Sequence, residues 1–138
     1  MPRTLLIVED NDLFRGMLSS LLELRGYRIV IARNGEQGLA VAASQPVDGV
    51  LTDVDMPGMD GFTFCQKLRE QQMAVGQDIP VWIMTGVFRP ALSKKAAAAG
   101  AVLVLRKPFP IEEVCEQLER EFKNRETAAV PPRPEETR

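Results

Sequence analysis

The chain has 138 residues, of which 45% are hydrophobic and 26% are charged, and its formal net charge is −2. This length and composition predict one soluble globular domain with its own core and a short remainder. The near-neutral charge argues against direct binding of nucleic acid or of a membrane surface through bulk electrostatics. Because the sequence contains no histidine, Ser-His triads, histidine metal sites and histidine phosphotransfer on this chain are excluded.

The beginning of the chain is typical of a cytoplasmic protein. Its first three residues lead directly into an apolar run without the layout of a signal peptide, and no apolar run is long enough to cross a bilayer. The two cysteines, Cys65 and Cys115, lie on helical patterns and lack the spacing of a metal site. We therefore expect buried or half-buried free thiols in a cytoplasmic protein that has no membrane partner.

Five short apolar runs alternate with five helical patterns along the chain. The predicted strands comprise residues 4–8, 28–32, 47–52, 80–84 and 101–105. The predicted helices comprise residues 13–24, 36–44, 61–72, about 90–99 and 111–124. This alternation predicts a doubly wound α/β domain, a (βα)5 unit with a five-stranded parallel sheet and helices on both faces. The common arrangement is the flavodoxin-like order 2-1-3-4-5, which we take as the expectation.

Apolar residues at helical spacing predict which side of each helix faces the core. They are Leu13, Met17, Leu18, Leu21 and Leu22 in the first helix, Leu39, Ala40 and Ala43 in the second, Phe62, Phe64, Cys65 and Leu68 in the third, and Val114, Cys115, Leu118 and Phe122 in the last. Asp12 is the expected N-cap of the first helix, and Gly26 and Gly100 are expected to end helices. Residues 125–138 are rich in proline and charge and have no apolar face, so a domain of residues 1–124 is expected to precede a disordered tail or linker.

Polar side chains follow four of the five predicted strands. Glu9 and Asp10 follow the first, Asp53 the third, Thr85 the fourth and Lys107 the fifth. Each is typical of a solvated turn when taken alone, but the carboxyl ends of parallel strands gather at one edge of the sheet. Carboxylates that lie close together repel unless a cation sits between them, and Mg²⁺ prefers oxygen ligands. An aspartate can also attack phosphorus, while a lysine and a hydroxyl balance the charge.

These motifs together resemble the receiver domain of response regulators in two-component signalling, over about residues 4–124 of the chain. The motifs are Glu9-Asp10, the segment from Asp53 to Gly61 (DVDMPGMDG), Thr85-Gly86, Ala99-Gly100-Ala101 and Lys107-Pro108-Phe109. The resemblance is specific because all five motifs occur in the family's order, whereas any one of them alone would be weak.

The resemblance implies that Asp53 accepts a phosphoryl group from the phosphohistidine of a sensor histidine kinase or phosphotransfer protein, or from a small acyl phosphate. It implies Mg²⁺ held by Asp10, Asp53 and the main-chain carbonyl of Asp55, with Glu9 acting through bound water. Both Thr85 and Lys107 are implied to turn toward the phosphoryl group. The chain would then be a phospho-acceptor and not a multiple-turnover enzyme.

The resemblance also implies a downstream protein target or a C-terminal output domain, reached through the face formed by the fourth helix, fifth strand and fifth helix. That face is also a possible homodimer surface. In this sequence Val104 stands where the family usually has its switch aromatic, so the signal is expected to use backbone and loop shifts. Val102 and Leu103 stand where acidic residues are common, which predicts either a richer core or a protein-binding patch. The Asp55 side chain either tunes the phosphoryl lifetime or is a solvated loop carboxylate.

Two other functions remain open from the sequence. A Mg²⁺-dependent phosphohydrolase with an aspartate nucleophile also uses an Asp-x-Asp segment, here Asp53 to Asp55, but the acidic pair precedes the nucleophile and little length is left for a substrate-covering cap. The second is a phosphorylation-independent interaction module. Turnover of small phosphate esters would favour the first, and failure to bind beryllofluoride or Mg²⁺ would favour the second.

Overall fold

The computed structural model describes residues 2–87 and 89–128, in which strands and helices alternate as the sequence predicts. The strands are β1 Thr4–Val8, β2 Arg28–Ala32, β3 Gly49–Asp53, β4 Val81–Thr85 and β5 Leu103–Arg106. The helices are α1 Asp12–Leu24, α2 Gly35–Ser44, α3 Gly61–Met73, α4 Ala91–Ala98 and α5 Ile111–Ala128. No helix in these ranges is both long enough and apolar enough to cross a membrane.

The five strands form one parallel sheet in the order β2-β1-β3-β4-β5, which confirms the predicted flavodoxin-like arrangement. The strand ends are in register, since Val8 pairs with Thr52, Asp53 with Met84, and Thr85 with Arg106. The residues that follow β1, β3, β4 and β5 therefore emerge at the same edge of the sheet. We call this the carboxyl edge.

The central strands β1, β3 and β4 are buried on both faces, and each face of the sheet carries its own hydrophobic cluster. Alternate side chains of a strand point to opposite faces, so Leu6 and Val8 pack with α2, α3 and α4. Leu5 and Ile7 pack with α1 and α5 on the other face. This double burial explains why the central strands are continuous apolar runs. The inward-facing residues predicted for α3 and α5 are confirmed as core residues, and both cysteines are buried free thiols.

The buried side of α1 is narrower than its apolar pattern predicts. Leu18 and Leu22 are buried, but the side chains of Leu13 and Met17 are 86% and 52% exposed, so their assignment to the core is wrong. The N-cap prediction was also wrong: the side chain of Asn11, and not that of Asp12, accepts a hydrogen bond from the Phe14 N–H.

Helix α2 packs against the core through Gly38 and the predicted Leu39, but not through the predicted alanines. Ala40 and Ala43 are exposed, and the prediction that they face the core was wrong. Gly38 is buried, and a Cβ on it would lie 2.8 Å from the Phe64 ring and 3.0 Å from Val8. The helix therefore approaches the sheet closely through a position without a side chain, which an apolar periodicity does not reveal.

Helix α5 continues through Ala128, four residues beyond the predicted end at residue 124. Arg125 extends it, because its Nε donates to Glu121 Oε2 at 2.8 Å and its Nη1 donates to the Asp78 carbonyl at 3.0 Å. The prediction of disorder was therefore wrong for residues 125–128. The rest of the predicted tail or linker, residues 129–138, lies outside the described residues.

Candidate functional site

The acidic pair after β1 lies at the carboxyl edge, and its two members differ in burial. Glu9 is only 1% exposed, and both of its carboxylate oxygens accept hydrogen bonds. Its Oε1 accepts from Lys107 Nζ at 2.6 Å, and its Oε2 accepts from the Asn11 N–H at 3.1 Å. Asp10 is exposed. Glu9 is thus fixed in the wall of the site, whereas Asp10 faces its opening.

Asp53 is the last residue of β3 and is 7% exposed. Its Oδ1 lies 3.2 Å from Lys107 Nζ, which contacts Glu9 as well. One carboxylate oxygen from each of Glu9, Asp10 and Asp53 lies within 4.8 Å of the others. Three carboxylates beside one ammonium leave an excess of negative charge, and such a set of oxygen donors fits a hard divalent cation such as Mg²⁺.

The surroundings of Asp53 disfavour its ionised form. Burial is the largest cause and the negative charge of Glu9 the next; together they raise the pKa of Asp53 from 3.8 to about 6, although Lys107 acts in the opposite direction. Positive charge brought to the site is therefore expected to assist ionisation of this carboxyl.

The raised pKa of Asp53 predicts that the metal-free fold loses stability as the pH rises. Protonated Asp53 is favoured in the folded chain, so its contribution is fully present below about pH 4 and is lost as the pH rises through about 6. The expected loss is about 2 kcal/mol, allowing for partial solvent screening. Denaturant unfolding in EDTA at several pH values, for the wild type and Asp53→Asn, measures it. A difference between the two proteins that does not change with pH would contradict the prediction.

Lys107 is held in place by its backbone and by an aromatic ring. Its N–H donates to the Thr85 carbonyl at 2.7 Å, which ties the residue to the end of β4. Its Nζ lies 4.1 Å from the centre of the Phe14 ring, and Phe14 in turn packs edge-to-face on Phe109 at 6.0 Å between ring centres. Phe14 was not predicted to belong to the site, because its only signal is an aromatic residue in the first turn of the helix that follows the acidic pair.

Arg15 is a second residue near the site that was not predicted. It is 6% exposed, and its Nη1 donates to the Glu9 carbonyl at 2.8 Å while its Nη2 donates to Asp12 Oδ1 at 2.5 Å. These bonds fix the loop between β1 and α1, and hence the direction of the acidic pair. The sequence does contain a signal for this role. Arg15 precedes Leu18 by three residues and Leu22 by seven, which places a charged residue on the buried side of α1.

Thr85 and Asp55 are the other two predicted site residues, and each has different surroundings from the three carboxylates. The Thr85 hydroxyl donates to the Val87 carbonyl at 2.8 Å and accepts from the Val87 N–H at 3.2 Å, so it is engaged with its own loop. Asp55 is exposed in the loop after β3. Both residues lie at the carboxyl edge, as the topology requires.

Gly61 begins α3 immediately beside Asp53. Its N–H donates to the Val54 carbonyl at 2.9 Å, and a Cβ on it would lie 2.3 Å from the Asp53 carbonyl oxygen. Only glycine permits this approach, which sets the path of the chain between β3 and α3.

The three apolar residues around β5 are divided between core and surface. Val102 packs against the cluster of α1 and α5, and Val104 packs against the cluster of α2, α3 and α4. Leu103 is 39% exposed. The richer-core alternative therefore describes Val102, and the exposed apolar position on this face is Leu103.

Comparisons with known proteins agree on one family. A family model described as the response regulator receiver domain matches residues 5–119. The chain is 36% identical over 116 residues to the response regulator MprA of Mycolicibacterium vanbaalenii, a match that covers 83% of this chain and 48% of the relative. It is 35% identical over 114 residues to the DNA-binding dual master transcriptional regulator RpaA of Synechocystis, covering 83% of this chain and 46% of the relative.

A solved structure gives the same result for the fold. The chemotaxis protein CheY4 of Vibrio cholerae superposes with a TM-score of 0.81 at 32% identity, covering 87% of this chain and 98% of that one. The match thus covers nearly the whole length of CheY4, but the chain spans only 48% and 46% of the length of the two curated relatives.

Proposed function

The chain belongs to the response regulator receiver domain family of two-component signalling, and from this membership we propose that Asp53 is its phospho-acceptor. An oxygen of the Asp53 carboxylate attacks the phosphorus of a phosphohistidine on a sensor histidine kinase or phosphotransfer protein. The P–O bond forms as the P–N bond breaks, and the electron pair of the broken bond stays with the imidazole. A small acyl phosphate donates in the same way, with a carboxylate as the leaving group.

The observation that carries this proposal is the position of Asp53 at a buried strand end beside Lys107. The distance of 3.2 Å between Lys107 Nζ and Asp53 Oδ1 lets the ammonium favour the ionised nucleophile and offset the charge of the transferred group. Thr85 ends the neighbouring strand, and we assign it a hydrogen bond to the phosphoryl oxygens after its hydroxyl leaves Val87. Charge neutralisation and positioning are what phosphoryl transfer chiefly requires.

Mg²⁺ is the proposed cofactor. Asp10, Asp53 and the main-chain carbonyl of Asp55 would hold it, with Glu9 acting through bound water. When bound, the ion supplies positive charge that offsets the negative charge of the phosphoryl oxygens. Three carboxylate oxygens within 4.8 Å of one another support this assignment. The ammonium of Lys107 would orient the phosphoryl group beside the metal ion.

The two alternative functions explain less of this site. A phosphohydrolase would release phosphate from many molecules of a small ester, and an interaction module would not need Asp53 at all. Family membership and the combination of Asp53 with Lys107 favour a phospho-acceptor that assists its own phosphorylation and dephosphorylation. On this proposal the chain does not turn over external substrates.

The proposed output is a change of protein contacts at the face formed by α4, β5 and α5. The phosphoryl group on Asp53 carries a charge of about −1.5 to −2 where the carboxylate carried −1, and it draws Thr85 and Lys107 toward it and shifts the loop after β4. Exposed Leu103 on that face is the proposed contact, either with a second copy of the chain or with a partner. The proposed target is a separate protein or a domain joined after α5. The second alternative is supported by the curated relatives, which are about twice as long as the matched region.

Labelling the purified chain with radioactive acetyl phosphate tests the proposed function. We expect at most one phosphoryl group per chain, hydroxylamine-sensitive, present with Mg²⁺ and absent with EDTA. Size-exclusion chromatography of labelled and unlabelled chain shows whether the label changes association. Sustained release of phosphate from small esters would instead favour the phosphohydrolase, and absence of both labelling and beryllofluoride binding would favour the interaction module.

A further inference from the structure

The ammonium of Lys107 contacts an aromatic ring in addition to the carboxylates of the site. Two contacts are carboxylates, Glu9 at 2.6 Å and Asp53 at 3.2 Å, and the third is the ring of Phe14 at 4.1 Å from its centre. The Lys107 side chain is 18% exposed, so little water competes for the ammonium. The Phe14 ring packs edge-to-face against the Phe109 ring, with an angle of 79° between the two ring planes.

A ring face attracts a cation in a way that differs from a carboxylate. The attraction comes from the negative face of the π-system, so it needs no particular N–H direction, and it strengthens where water is excluded. An ammonium on such a face can turn its N–H groups from Glu9 toward Asp53 without losing the ring contact. An aliphatic side chain at the same place would cover this side of the ammonium but would not attract it.

We propose that Phe14 is a positioning residue for phosphoryl transfer: its ring holds Lys107 Nζ between Glu9 and Asp53 while the charge on Asp53 changes. This inference rests on the proposed function, because it concerns the same lysine and the same acceptor. It goes further in assigning a role to a side chain on α1 that touches neither the donor nor the acceptor. Phe109 has the supporting role of fixing the orientation of the Phe14 ring.

Three variants separate this role from simple packing, since Phe14 also contacts the hydrophobic cluster of α1 and α5. Phe14→Leu keeps an apolar side chain and removes the ring, and Phe14→Tyr keeps the ring. Phe62→Leu is the matched control, because Phe62 also lies near an ammonium, Lys95 Nζ at 6.0 Å from its ring centre, but on α3. Unfolding of each variant by denaturant confirms that the labelled protein is folded.

The rate of Asp53 labelling by acetyl phosphate is the first measurement. We expect Phe14→Leu to label about five- to tenfold more slowly, which lies between the loss of an exposed and of a fully desolvated cation–π contact, and Phe14→Tyr and Phe62→Leu to label at the wild-type rate. In a Lys107→Met background, Phe14→Leu should have no further effect. If that background labels too slowly to compare, the leucine and tyrosine variants decide.

The second measurement does not depend on labelling. Protons over an aromatic ring resonate upfield, so the terminal methylene of Lys107 should be shifted upfield in the wild type and in Phe14→Tyr, but not in Phe14→Leu. The proposal is overturned if this shift is absent in the wild type, if Phe14→Leu labels at the wild-type rate, or if Phe14→Leu slows Lys107→Met equally. Failure of the proposed function looks different: neither the wild type nor any variant is labelled, while the upfield shift is still present.

Discussion

Asp53→Asn is expected to abolish labelling by acyl phosphate and to leave the fold intact. An amide oxygen is a poor nucleophile toward phosphorus, and the other carboxylates at the carboxyl edge have different positions, so labelling should fall by more than about two orders of magnitude. The buried amide also removes a carboxyl whose pKa is raised to about 6, so the metal-free variant should be the more stable protein at pH 7.

A matched control for this variant is Asp48→Asn. Asp48 precedes β3 at the opposite edge of the sheet, where its Oδ2 accepts from the Thr4 N–H at 2.7 Å, and asparagine can keep that bond. We expect this control to label as the wild type does. Labelling by phosphoryl transfer that persists in a folded Asp53→Asn protein would contradict the assignment of the acceptor.

Gly61→Ala is expected to destabilise the protein by about 3 kcal/mol or more. The added Cβ would lie 2.3 Å from the Asp53 carbonyl oxygen and 3.0 Å from the Val54 Cα, and both are backbone atoms that cannot rotate away. Relief of the clash would move the start of α3 or the end of β3. The variant should therefore also label more slowly, since the position of Asp53 depends on that junction.

Gly16→Ala tests whether the effect belongs to the site or to glycine replacement in general. Gly16 lies within α1, and a Cβ on it would have nothing within 4 Å. The same substitution there should stabilise the protein by about 0.5–1 kcal/mol, because alanine favours the helix. Equilibrium unfolding in urea compares the two variants, and equal effects of the same sign would refute the argument from close approach.

The carboxyl edge could be predicted from sequence because its residues depend on topology alone. Parallel strands in the common order 2-1-3-4-5 bring their ends to one edge, so Asp53 and Lys107 were expected to lie near each other once the strands were recognised. The resemblance to a known family supplied the chemistry. No such rule places the side chains of a helix, and Phe14 and Arg15 were missed because their roles depend on the direction in which α1 leaves the acidic loop.

The errors in the helices have similar physical causes. Leu13 and Met17 follow the helical spacing, but α1 covers only part of one sheet face and leaves its outer side to solvent. The end of α5 depends on Asp78, which lies 47 positions away from Arg125. A contact at that separation cannot be read from local composition, which near residue 125 indicates only a polar segment. The close approaches of Gly38 and Gly61 are invisible for the same reason.

The two hydrogen bonds between Thr85 and Val87 hold the Thr85 hydroxyl in its own loop. Each such bond contributes about 0.5–1.5 kcal/mol, so together they favour the observed orientation of the hydroxyl by about 1–3 kcal/mol. On the proposed mechanism, a phosphoryl group on Asp53 has to offset a bias of about that size before the hydroxyl turns toward it. The same two bonds therefore act as a latch on the loop after β4, which opens only when a competing acceptor is placed at Asp53.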